Sequence, residues 1–98
     1  MSPNEFRAEA AACLGQDKPA GELVDCVSRY FPDAEVFREN DDLFIKGGGR
    51  FLIVRRSAPD LFRMSLSVAA PTTNLVDYGG GRETTLNELI DQIATLGD

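Results

Sequence analysis

Ninety-eight residues, 43% of them hydrophobic, suffice for one domain with its own core and do not fit a disordered chain. A net charge of −6 opposes indiscriminate binding to nucleic acid, and no apolar run approaches the roughly 18 residues of a membrane span. Without histidine, Ser-His-Asp and Cys-His nucleophile systems and the common zinc sites are excluded. The N-terminus also has no basic-then-apolar leader, so a non-enzymatic, cytoplasmic protein without a cofactor is expected.

Ser2-Pro3-Asn4-Glu5 opens the first helix: serine can cap, proline suits the first helical position, and glutamate completes a capping box. Phe6, Ala10, Cys13 and Leu14 then form one apolar stripe, and Gly15 ends the helix. Asp17-Lys18-Pro19 opens a second helix, with Leu23, Val27 and Tyr30 on one face and Cys26 and Phe31 beside it. Pro32 stops it, and the short link from Gly15 to Lys18 makes the two helices a hairpin. Both cysteines fall on this hairpin. Two buried free thiols are expected, with a disulfide as the alternative.

From Ala34 the period changes to that of strands. Glu35–Arg38 and Leu43–Lys46 are joined by the turn residues Glu39-Asn40-Asp41-Asp42, and Gly47-Gly48-Gly49 leads into Arg50–Arg56. That third strand is apolar almost throughout, so both its faces should be partly covered. Leu61–Ala70 has the clearest alternation, with Phe62, Met64, Leu66 and Val68 toward the core and Arg63, Ser65 and Ser67 away from it. Burying those four apolar side chains is worth about 6–12 kcal/mol before entropy. Pro71 breaks the strand, and Asn74–Tyr78 is a candidate edge strand. Gly79-Gly80-Gly81-Arg82 reads as a joint, after which Thr85 caps a last helix with Glu88 in a second capping box. Leu86, Leu89, Ile90, Ile93 and Ala94 form its apolar stripe. The expected fold is a two-layer α+β domain. An N-terminal helical hairpin and a C-terminal helix pack on one face of a four- to five-stranded antiparallel meander, in the order ααββββ(β)α.

Charge is segregated. Residues 33–42 hold Asp33, Glu35, Glu39, Asp41 and Asp42 against Arg38, a local −4. Residues 43–63 hold Lys46, Arg50, Arg55, Arg56 and Arg63 against Asp60, a local +4. The acidic segment lacks the spacing of a calcium loop, and neither Gly-Gly-Gly-Arg run belongs to a Walker or dinucleotide fingerprint. Arg63 should lie on the open sheet face with either Arg55 or Arg56, since neighbours in a strand point opposite ways. Arg38 is a further candidate for that patch. Such arginines could meet carboxylates or phosphates, or pair across strands with Glu35 and Glu39.

These features point to a protein that occupies another protein's surface, by way of Glu35, Glu39, Asp41, Asp42, Arg55, Arg56 and Arg63. The partner that fits is a basic nucleic-acid-binding complex, blocked by steering and then by paired charges; a second copy of the chain is another candidate. In size and charge the chain is similar to compact phage or mobile-element inhibitors such as anti-CRISPR proteins, without a shared motif. The alternative is a small nucleic-acid or anionic-ligand binder working through the arginine face.

Overall fold

The computed structural model describes residues 3–67 and 81–96. Helix α1 spans Pro3–Leu14. A 3₁₀ turn, Ala20–Leu23, leads directly into α2, Val24–Tyr30. Strands β1 (Glu35–Glu39), β2 (Asp42–Gly47), β3 (Arg50–Ala58), β4 (Leu61–Ser67) and β5 (Arg82–Thr85) follow, and α3 (Leu86–Thr95) closes the order. The strands form one antiparallel sheet in sequence order, a five-stranded meander with the helices on one face, so the expected α+β architecture is the observed one. Ser2, Val68 and the segment Asn74–Tyr78, read above as a helix cap, a core-facing strand residue and an edge strand, lie outside the described residues.

Among the described residues the fifth strand is Arg82–Thr85, where the sequence suggests a joint at Arg82 and a cap at Thr85. Its register against β4 pairs Phe62 with Thr84 and Arg63 with Glu83. Thr85 nonetheless caps α3 as expected: its hydroxyl accepts from the Glu88 N–H at 3.3 Å. The Glu88 carboxylate reaches back to accept from the Thr84 hydroxyl at 3.0 Å rather than from the cap residue.

The two hairpin turns that begin the sheet follow from their residues. Gly48 and Gly49 take positive φ (56° and 75°), the geometry a two-residue turn requires and glycine adopts without steric cost. Asn40 takes φ 56°, which asparagine tolerates better than most side chains. The 3₁₀ turn docks beneath this hairpin, where the Gly21 N–H donates to the Asp41 carbonyl at 2.8 Å. A side chain at position 21 would put its Cβ 2.8 Å from the Asn40 oxygen, so glycine is needed for the approach.

Leu43, Ile45, Leu52, Val54, Phe62 and Met64 face the helices and meet Leu14, Leu23, Val27, Leu89, Ile90 and Ile93 in the main core. β3 is covered on both sides, as its unbroken apolar run implied. Leu52 and Val54 lie in the main core, while Ile53 is buried on the other face against Phe44. In β4 Phe62 and Met64 are buried as the alternation predicts, while Leu66, on the same face, is 48% exposed and Ser65, on the opposite face, is buried, the reverse of the burial expected for these two. Helix cover ends short of Leu66, while Ser65 sits opposite the enclosed Ile53.

Cys13 and Cys26 form a disulfide, with Cα atoms 5.8 Å apart, which corrects the expectation of two free thiols. The bridge ties α1 to α2. It matters because the main element contacts of α1 are with α2 and α3. An edge-to-face cluster of Phe6 with Tyr30 and Phe31 completes that junction.

Candidate functional site

The acidic segment forms the β1–β2 hairpin at one edge of the sheet. β1 is the terminal strand, paired with β2 from Glu35↔Lys46 to Glu39↔Asp42 without a bulge. Alternation places Glu35, Phe37 and Glu39 on the face away from the helices, and Val36 and Arg38 toward them. Asp33, Glu35, Glu39 and Asp41 are exposed. Phe37 stacks on Phe44 with ring centroids 5.4 Å apart, yet remains 46% exposed, one of only two large hydrophobic side chains so open among the described residues. The edge therefore presents an aromatic ring flanked on its own strand by two carboxylates.

Asp42 does not belong to that exposed set. It is 1% exposed and accepts from Arg55 Nε at 2.7 Å and Nη2 at 2.8 Å, a two-pronged ion pair. Arg55 is on the open face, as one of the two adjacent arginines had to be. Arg56 points the other way. Its guanidinium donates to the Lys18 carbonyl at 2.8 Å, the Leu14 carbonyl at 2.6 Å and the Pro59 carbonyl, and lies 4.6 Å from the Phe62 ring centroid. Burial lowers the Arg56 pKa below its ordinary value, while Asp17 and Asp60 act in the opposite direction. Arg56 thus fastens the link between the first two helices to the sheet. It lines a cleft of about 790 Å³ with Asp17, Lys18, Asp41 and Arg55.

Arg63 stands 4.0 Å from Glu83 of the neighbouring strand. The cross-strand pairing anticipated for the arginines thus involves Asp42 and Glu83, with Glu35 and Glu39 left out of it. Arg38 does not join Arg55 and Arg63, because its Nε donates to the Asn40 carbonyl within its own hairpin. Of the seven residues singled out as contacts, Glu35, Glu39 and Asp41 cluster on the exposed hairpin. Asp42 and Arg56 are engaged within the protein, and Arg55 and Arg63 lie on the open face in ion pairs. Phe37 is not among those seven residues. Its position between Glu35 and Glu39, with period two, was the signal that could have found it.

Arginines elsewhere are held in the same manner. Arg50 donates to the Thr95 carbonyl at 2.8 Å and the Leu96 carbonyl at 2.7 Å, closing the C-terminal end of α3. Arg7 pairs with Asp91, and Arg82 approaches Glu88 at 3.4 Å. Every described carboxylate except Asp42 is exposed. Among the described residues no group of three or more carboxylate or cysteine side chains is arranged to hold a metal ion, and no helix is long and apolar enough to cross a membrane. Compared with known proteins, the chain matches no family model, no curated protein and no solved structure.

Proposed function

We propose that this is a non-enzymatic binding protein whose β1–β2 edge occupies a cationic surface of another protein, most readily a surface that otherwise binds nucleic acid. One observation carries this reading. Arg50 and Arg56 are turned onto main-chain oxygens and the other paired arginines onto acids, Arg38 approaching Asp41 at 3.8 Å, whereas Glu35 and Glu39 stand in solvent beside an exposed aromatic ring. An arginine bound to a carbonyl neutralises no carboxylate, so the negative field of this edge remains available to steer a basic partner. A direct nucleic-acid binder draws less support, since Arg55 and Arg63 are engaged with Asp42 and Glu83 and Arg56 faces the helices. The acidic edge suits an occluding inhibitor of the phage or mobile-element kind. The cytoplasmic setting expected from the sequence stands against a disulfide, which persists best where thiols are oxidised.

The test compares wild-type protein with an E35K/E39K/D41K variant, both immobilised with the disulfide formed and exposed to the same cell extract at low salt. The reading expects basic proteins retained by wild type, released as salt rises, lost on charge reversal, and unable to hold nucleic acid while bound. If both columns retain the same proteins, the reading fails.

A further inference from the structure

We infer that the partner binds by strand addition: an extended segment of the pattern basic-x-apolar-x-basic pairs antiparallel with the outer edge of β1. The inference rests on the cationic-partner reading and specifies how the recognition works.

Backbone geometry comes first. The two-residue turn Asn40-Asp41 closes on the pair Glu39↔Asp42, and hydrogen-bonded and open pairs alternate from there. Glu35, Phe37 and Glu39 therefore direct their backbone groups to β2, and Val36 and Arg38 direct theirs outward. Among the described residues no strand or loop backbone pairs with that outer side. The strand has no proline and no bulge, two of the devices that blunt a free edge. α2 and the 3₁₀ turn contact β1, whose Val36 packs against the main core.

Side chains then select the occupant. A strand centred opposite Phe37 would place its middle residue at the close, non-hydrogen-bonded position against the exposed ring. Its residues two before and two after would face Glu39 and Glu35. Lysine or arginine there, with an apolar residue between, satisfies both carboxylates and covers the ring. A second copy of β1 in that register would set Glu35 against Glu39 of its twin and Glu39 against Glu35, a like-charge pairing at both ends. The carboxylates thus repel self-association and favour a basic strand.

The probe is the blocked peptide Thr-Lys-Thr-Ile-Thr-Lys-Thr, titrated at low salt into isotope-labelled protein with its disulfide intact. Strand addition expects slowed hydrogen exchange at the Val36 and Arg38 amides. It also expects at least a tenfold loss of affinity when the two threonines beside isoleucine are N-methylated, which keeps every charge but removes the edge-facing donors. The E35Q/E39Q protein, whose fold is checked by its spectrum, should bind several-fold more weakly. Equal binding of the methylated peptide, or slowed exchange elsewhere only, overturns strand addition and leaves the cationic-partner reading standing. Failure of the peptide to bind, while charge-dependent capture succeeds, does the same. Loss of both signals removes both readings. A dimer in sedimentation, with the same two amides protected in the absence of peptide, makes a second copy the occupant and overturns the inference.

Discussion

Reducing the Cys13–Cys26 bridge is the sharpest perturbation the fold offers. The two residues are 13 apart in sequence, so the bridge closes a loop of about 14 residues in the unfolded chain. The chain-entropy relation then gives about 3 kcal/mol of stabilisation at 25 °C. Against the roughly 5–15 kcal/mol of a typical domain this is a large share. The position of the bridge makes the figure plausible in the folded state as well. α1 contributes Ala10 and Leu14 to the core and rests chiefly on the other helices, and the bridge is its covalent tie to α2. Urea unfolding with and without a phosphine reductant should show a midpoint lower by about 1–3 M after reduction. The melting temperature should fall by about 12–24 °C. Alkylation must confirm the chemistry, with no label taken up before reduction and two after it. Superimposable unfolding curves from samples that alkylation proves oxidised and reduced would refute the loop-closure argument. Loss of α1 amide protection alone, with the sheet unaffected, would show that the bridge stabilises the hairpin rather than the whole domain.

Four substitutions probe other parts of the structure by the same unfolding measurement. Ile90→Ala, at a residue 1% exposed, should cost about 2–5 kcal/mol, whereas Leu66→Ala, at 48% exposure, should cost less than about 1 kcal/mol. Equal losses at the two sites would contradict the burial pattern. Asp42→Ala should destabilise by about 1–3 kcal/mol, below the cost of breaking a fully buried pair because Arg55 can regain water; an unchanged midpoint would mean the pair contributes nothing net. Gly21→Ala should cost about 1–3 kcal/mol by pushing the 3₁₀ turn off the β1–β2 hairpin, and a stabilised protein would show that the close approach relaxes freely.

Most of the sheet was legible because β1 to β4 carry turn residues at their ends and apolar residues between them. β5 was not. Arg-Glu-Thr-Thr shows no apolar alternation, and it is a strand because β4 has an edge to pair and α3 needs its Thr85 cap nearby. Period two assigned Leu66 to the correct face but could not say how far helix cover extends along it. Nor could it anticipate Ser65, whose burial comes from lying opposite Ile53 on the other side. The disulfide needed the relative rotation of two helices, which sequence separation does not supply. For the site, local charge located the hairpin, yet a carboxylate count treats Asp42 and Glu39 alike. Only the register separates them, because it is Asp42 that meets Arg55.

That separation explains how a chain with ten basic residues presents so acidic an edge. Net charge of −6 is a sum over side chains, but a partner meets only the charge that is exposed and unneutralised. Arg50 and Arg56 sit against main-chain oxygens at the end of α3 and along the inter-helix link, where they replace water on carbonyls the fold would otherwise strand. Packing holds these guanidinium groups on carbonyls rather than on the carboxylates of β1. Arg55 draws Asp42 inward, which removes one acid and one base together and leaves the local imbalance intact. What remains on this face of β1 is Glu35 and Glu39 astride Phe37, with Arg38 toward the other face, on a strand whose outer edge pairs with no other strand among the described residues. The polar demands of the interior therefore decide the sign of the charge left exposed along this edge.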